Sequence, residues 1–206
     1  MRRFEVLLFD LGGVLVEWVG SAGLLSLADG SLDAEAARRF WLESPWVRRF
    51  ERGQCSPLEF ACGVVEELGL RLPPEDFLVH FTGWDKGPFP GATLLLRELR
   101  GRYRLACLSN NNTVHWPCLR DEFSLGKLFD RCFISCEIGL VKPDPDVFRY
   151  VRRELGVPAG RILFIDDNPE CTEAAAAEGF TVLTASGIEG VRQALEGVLG
   201  PWTPER

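Results

Sequence analysis

Four places in the sequence carry residue types that can do chemistry together. Asp10 follows the apolar residues Val6, Leu7, Leu8 and Phe9, and is followed in turn by Gly12 and Gly13. Ser109 closes a second apolar run and opens Ser109-Asn110-Asn111-Asn112. Lys142 lies in Lys142-Pro143-Asp144-Pro145, and Asp166-Asp167-Asn168 ends a third apolar run. Carboxylates gathered in one place repel each other and require a cation. All-oxygen ligation suits Mg²⁺, which binds through one or two carboxylates together with substrate phosphate and water. A serine hydroxyl and the amides after it can hold phosphate oxygens at a helix start, and a lysine adds a compact positive charge. Taken singly, each residue has an ordinary reading: Ser109 and Asn168 as caps, Lys142 as a surface lysine, Asp166 and Asp167 as a turn. Their recurrence at successive strand ends is what points to a site.

The elements that must position these residues are strands. Residues 6–9, 103–108, 132–135, 161–165 and 180–184 read as buried strands, apolar with β-branched and aromatic members. Helices alternate with them. One opens at Pro90-Gly91 and closes at Gly101, and one runs from Asp144 as N-cap to Gly156. Another is capped by Asn168-Pro169 and stops at Gly179, and a last covers 188–199. Strands alternating with helices predict an α/β fold with a doubly wound parallel sheet. In such a sheet ligands bind outside the carboxyl ends of the strands, where Asp10, Ser109 and Asp166-Asp167 stand. Residues 17–88 read as wholly helical. Residues 33–52 form one helix or two, with a break near Pro45. Ser56-Pro57-Leu58-Glu59 is a capping box leading to Gly69, and Pro73-Pro74-Glu75 opens a helix that ends near Gly83. The expected organisation is a core of residues 1–16 and 89–200 with a small helical cap, 17–88, inserted after the first strand. The tail from Gly200 is expected to fray.

Composition narrows the function classes. The chain has 206 residues, 46% hydrophobic and 26% charged, enough for a substantial core. A net charge of −7 without a basic run speaks against nucleic acid, which demands clustered cations. No apolar run approaches a membrane span and no signal peptide is evident, so a cytoplasmic protein, a monomer or homodimer, is expected. The seven cysteines form no CxxC pair and read as free thiols, with zinc a weak alternative. Neither a P-loop nor a GxSxG elbow occurs. The only lysines are Lys86, Lys127 and Lys142, against many arginines.

The motifs Asp10-Leu11-Gly12-Gly13-Val14-Leu15, Leu108-Ser109-Asn110, Lys142-Pro143 and Phe164-Ile165-Asp166-Asp167-Asn168 resemble the four motifs of the haloacid dehalogenase-like (HAD) hydrolases. The resemblance covers nearly the whole chain, cap included. Ser109-Asn110-Asn111-Asn112 followed by His115, with Phe50-Glu51-Arg52-Gly53, is similar to the bacterial α-glucose-1-phosphate phosphatase branch. The resemblance implies a Mg²⁺-dependent phosphatase of a small phosphorylated metabolite, with sugar phosphates among the candidates. It implies Asp10 as nucleophile, forming an aspartyl-phosphate. Asp10, the Gly12 carbonyl and Asp167 would ligate Mg²⁺, with Asp166 ligating or supporting. Ser109 and the Asn110 amide would hold phosphoryl oxygens, and Lys142 would neutralise charge and orient Asp10. Most phosphatases of the family carry a second aspartate, as acid and base, two residues after the nucleophile. Gly12 stands there in this chain, as it does in the related branch.

Two other readings compete. A 2-haloacid dehalogenase needs no metal, and the retained Asp166-Asp167 argues against it. A non-catalytic phosphate-binding protein would follow if Gly12 has cost the chain its turnover. If no residue replaces the missing acid, rates should depend steeply on the leaving group and favour activated phosphates. His115 is the first suspect for a replacement, and it reads equally as a substrate contact or as a cap. Trp18, just past the catalytic loop, is the aromatic residue expected to face substrate. Trp41 and Trp46 read as core.

Overall fold

The computed structural model describes residues 3–30 and 32–200; the tail beyond Gly200 lies outside them. Five strands, β1 (Val6–Phe9), β4 (Arg104–Ser109), β5 (Arg131–Ile134), β6 (Ile162–Asp166) and β7 (Thr181–Thr184), form one sheet in the order β5-β4-β1-β6-β7. Every pairing is parallel. Because β1 is central, alternate side chains enter two cores. Leu7 and Phe9 pack on one face with Leu95, Leu99, Val191 and Leu195. Val6 and Leu8 pack on the other with Phe148, Val151 and Phe164. This two-sided burial is why the strands read as continuous apolar runs rather than alternating ones.

Helices cover both faces. α6 (Ala92–Arg100) and α10 (Gly187–Leu199) lie against the first core, and α8 (Pro145–Leu155) and α9 (Pro169–Ala177) against the second. In α8 the buried residues are Val147, Phe148, Val151 and Leu155, one stripe at helical spacing, and Gly156 ends the helix at φ +69°.

Between β1 and β4 the chain builds a third apolar centre from α1 (Gly20–Leu27), α2 (Ala34–Glu43), α3 (Pro45–Glu51), α4 (Pro57–Leu68) and α5 (Pro74–Thr82). Phe50, Phe60, Phe77 and Phe81 stack at its middle. α4 starts on the capping box: the Glu59 amide donates to Ser56 Oγ, and the Ser56 amide donates to Glu59 Oε2.

Three local expectations need correction. The segment 17–88 is not wholly helical: β2 (Val16–Trp18) and β3 (Asp85–Pro88) pair antiparallel where the segment leaves and rejoins the sheet. Ser135 does not end β5 but starts the short helix α7 (Ser135–Ile138). Asp144 occupies the N-cap of α8, yet its side chain bonds no amide there. It accepts instead from Arg48 at 2.8 Å and Arg52 at 2.5 Å, both on the helical insert. Two guanidiniums on one carboxylate outcompete a single neutral N–H. No helix among the described residues is long and apolar enough to cross a membrane. All seven cysteines are free thiols.

Candidate active site

The parallel register brings the polar strand ends together. Phe9 pairs with Cys107 and with Ile165, so Asp10, Leu108 and Asp166 are level, and Ser109 and Asp167 stand one residue beyond. After Asp10 the chain curls back through amides of Leu15 and Val16 bonded to the Leu11 carbonyl. Gly13 holds φ +71°, and a Cβ there would lie 2.2 Å from Asp167 Oδ2. Glycine is therefore required, and it lets Asp167 close over the loop.

Lys142 enters this edge from the loop before α8. Its Nζ lies 2.8 Å from Asp10 Oδ1 and 2.6 Å from Asp166 Oδ2, with 3% of the side chain exposed. Asp166 is also bonded through Oδ1 to the Asn168 amide at 2.8 Å, so both of its oxygens are occupied. Carboxylate oxygens of Asp10, Asp166 and Asp167 lie within 4.8 Å of one another. Burial pushes the Asp10 carboxyl up to about 7; Lys142 opposes this, and Asp166 and Asp167 add to it. Asp167 is raised by burial and by Asp166. Burial works against the Lys142 ammonium, but Asp10 and Asp166 together overcome it and hold its pKa above the ordinary value. One buried ammonium thus faces three carboxylates, and a negative surplus remains. A hard divalent cation relieves such a surplus, and an all-oxygen cluster is the donor set that Mg²⁺ takes.

The edge faces a cavity of about 560 Å³, lined from the sheet side by Asp10, Gly12, Ser109, Asn110 and Lys142, and from the helical side by Trp18, Trp41, Arg48 and Glu51. Ser109 Oγ has only a 3.5 Å contact to the Asn110 carbonyl, so its hydroxyl is open to a ligand. The Asn110 side chain ties the two loops together: Oδ1 accepts from the Lys142 amide at 2.8 Å, and Nδ2 donates to the Lys142 carbonyl at 2.9 Å. Asn112 caps the next turn by accepting from the amides of Val114 and His115.

Every site residue expected from sequence lines the cavity, His115 included, but the His115 ring takes a different part. The Phe81 carbonyl, 2.8 Å from Nε2, requires an N–H there, which leaves Nδ1 to accept from Asn112 Nδ2 at 3.3 Å. Burial lowers its pKa, so the ring is neutral and both nitrogens are committed. His115 joins the sheet loop to α5. Trp18, 37% exposed, lines the mouth and stands edge-on to Trp41 at 4.9 Å. Trp41, expected in the core, packs there and also lines the cavity, with a buried Nε1 that has no partner among the described residues.

Glu51 escaped the reading of candidate residues. Its Oε2 accepts from Asn110 Nδ2 at 3.1 Å. Burial pushes its carboxyl up to about 8, against Lys142 and Arg48. The available signal was the stripe Arg48, Glu51, Arg52 at i, i+3, i+4, a charged face on a helix whose Val47 and Phe50 are buried.

Comparison with known proteins points the same way. The chain is 28% identical to the sesquiterpene phosphatase astK of Aspergillus oryzae, over 87% of this chain and 89% of that one. It is 24% identical to a D-ribitol-5-phosphate phosphatase of Bacteroides thetaiotaomicron, over 94% and 97%. It is 26% identical to an (S)-2-haloacid dehalogenase of Pseudomonas fluorescens, over 88% and 84%. Its fold matches that of a HAD family enzyme of Bacteroides thetaiotaomicron solved with magnesium and inorganic phosphate, with TM-score 0.73, 24% identity, and coverage of 89% and 94%. The haloacid dehalogenase-like hydrolase model matches residues 4–179, the span that carries all four motifs, and the chain belongs to that family.

Proposed function

We propose that the protein is a Mg²⁺-dependent phosphatase of a small phosphorylated metabolite, working through an aspartyl-phosphate on Asp10. The observation that carries this reading is the strand-edge cluster of three carboxylates and one buried lysine opening on a cavity between the sheet loops and the helical segment. In this reading residues 1–16 and 89–200 form the hydrolase core and 17–88 its cap. Asp10, the Gly12 carbonyl and Asp167 would hold the cation, with Asp166 acting behind them through Lys142 and the Asn168 amide. Bound there, Mg²⁺ supplies charge neutralisation for the phosphoryl group.

The chain's own residues do the rest. Asp10 attacks phosphorus, and the bond to the departing oxygen breaks. Water then attacks the same phosphorus and releases phosphate, restoring the carboxylate. Lys142 holds one Asp10 oxygen in place and offsets the incoming negative charge. Ser109 and the Asn110 amide receive phosphoryl oxygens. Trp18 and Trp41 form the apolar wall for the rest of the substrate. Relatives named as phosphatases support the reaction class, and the Asp166-Asp167 pair disfavours a metal-free dehalogenase.

The test is Asp10→Asn against a panel of phosphate esters. Turnover should vanish, and chelation should abolish wild-type turnover reversibly. An Asn variant that keeps most of its activity in pure Mg²⁺ refutes the assignment. Halide release without metal would favour the dehalogenase instead.

A further inference from the structure

We infer that Glu51, on the helical wall opposite Asp10, is the catalytic acid that protonates the departing oxygen in place of the side chain missing at Gly12. The inference rests on the phosphatase reading above and adds the proton path. In-line displacement puts the leaving oxygen on the side of phosphorus away from Asp10. The donor must therefore stand across the cavity, on the helical side. Several side chains in and around the cavity carry hydrogen, and most are unsuitable. His115 is neutral, with Nε2–H given to Phe81. Arg48 and Arg52 are bound to Asp144 and do not give up protons. Lys142 is held charged between Asp10 and Asp166. Burial raises the carboxyl of Asp85 in β3, although the Gly87 amide donates to it at 2.9 Å and opposes this, but no bond among the described residues ties Asp85 to the loop that holds the phosphoryl group. Glu51 differs from all of these. Its Oε2 is anchored by Asn110, the residue after the phosphate-binding Ser109, which fixes the carboxyl at the phosphoryl end of the cavity. Oε1 has no bond among the described residues and is left to carry the proton.

The state of the group fits the task. Lys142, Arg48, Asp10 and Asn110 are the groups that act on it. Burial, together with Asp10, outweighs the two cations and the amide and keeps it protonated at neutral pH. A carboxylic acid tuned to near neutrality is the form a general acid needs. The steps balance. As Asp10 oxygen bonds to phosphorus, the P–O bond to the leaving group breaks and that oxygen takes the Glu51 proton. In the second step the Glu51 carboxylate takes a proton from the attacking water, and the acid is restored with the release of phosphate.

Glu51→Gln keeps the shape and an acceptor for Asn110 but cannot donate a carboxyl proton. Single-turnover rates with saturating Mg²⁺ are compared for benzyl phosphate, whose leaving alkoxide is basic, and 4-nitrophenyl phosphate, which needs no acid. The expected loss is about 10²-fold or more for the benzyl ester and under about tenfold for the aryl ester. Gly12→Asp in the Glu51→Gln background should restore part of the benzyl rate, because open space surrounds the position a Cβ would take at Gly12. Equal losses on both esters, or none on the benzyl ester, overturn the inference and leave the phosphatase reading standing. A wild-type protein that hydrolyses neither ester overturns both.

Discussion

Replacing Lys142 by Met removes the only cation that touches Asp10 and Asp166 among the described residues while keeping the volume of the side chain. Lys142 Nζ sits 2.8 Å from Asp10 and 2.6 Å from Asp166, and the three side chains are 3%, 12% and 1% exposed. Asp166 is out of reach of water and Asp10 meets it only from the cavity, so water can take over little of the lost interactions. Removing one partner of a buried ion pair costs about 3–5 kcal/mol. In a chain of this length each kcal/mol moves the melting point by about 2–4 °C, so Lys142→Met should melt roughly 6–20 °C lower. Part of the charge can be discharged by protonation, because Asp10 is already pushed up to about 7 and loses the lysine that opposed this. The cost should therefore be smaller at pH 6 than at pH 8. The measurement is urea and thermal unfolding in EDTA at both pH values, with the double variant Lys142→Met/Asp166→Asn beside it. Removing a carboxylate as well relieves the uncompensated charge, so the double variant should be more stable than Lys142→Met alone. A Lys142→Met protein within about 1 kcal/mol of wild type at pH 8, or a double variant less stable than the single, refutes the argument that the lysine holds the carboxylates together. Phosphatase activity should fall by orders of magnitude in Lys142→Met even below its melting point.

Two further outcomes follow from the contacts between the helical wall and the sheet. Asp144→Asn removes the carboxylate shared by Arg48 and Arg52; all three side chains are about a third exposed, so the loss should be about 1–2 kcal/mol, seen as faster amide exchange in α3 than in β1; unchanged exchange in α3 would deny the contact a holding role. Glu51 binds its proton more tightly folded (about 8) than unfolded (about 4.5), so its contribution is fully present below about pH 4.5 and is lost as pH rises toward 8. At about 1.4 kcal/mol per pH unit and proton, discounted because the carboxyl opens on the cavity, wild type should lose about 2–4 kcal/mol relative to Glu51→Gln between pH 4.5 and 8 in EDTA; parallel stability curves would show an ordinary carboxylate.

What the sequence determined by itself is the scaffold and its chemistry-bearing edge. Runs such as Val6–Phe9 are buried on both faces, so they carry the strand signal without help from neighbours. Caps and stops such as Ser56 with Glu59, or Asn168 with Pro169, act within a few residues and are legible for that reason. Polar residues at the ends of those runs had to share one edge once the sheet was parallel. The tertiary structure decided everything that depends on partners far apart in the chain. β2 and β3 are three and four residues long and exist through pairing across the insert, so no periodicity announces them. α1 has glycines at 20 and 23 where the rings of Trp18 and Trp84 press against the backbone, which a propensity reading sees only as helix breakers. Asp144 looked like a cap because caps are local, and it was taken instead by two arginines 92 and 96 residues away. His115 departed from its expected part, and Glu51 went unread, for the same reason. A titratable side chain is defined by its surroundings, and the Phe81 carbonyl that fixes one and the burial that protonates the other exist only after the insert has packed on the sheet.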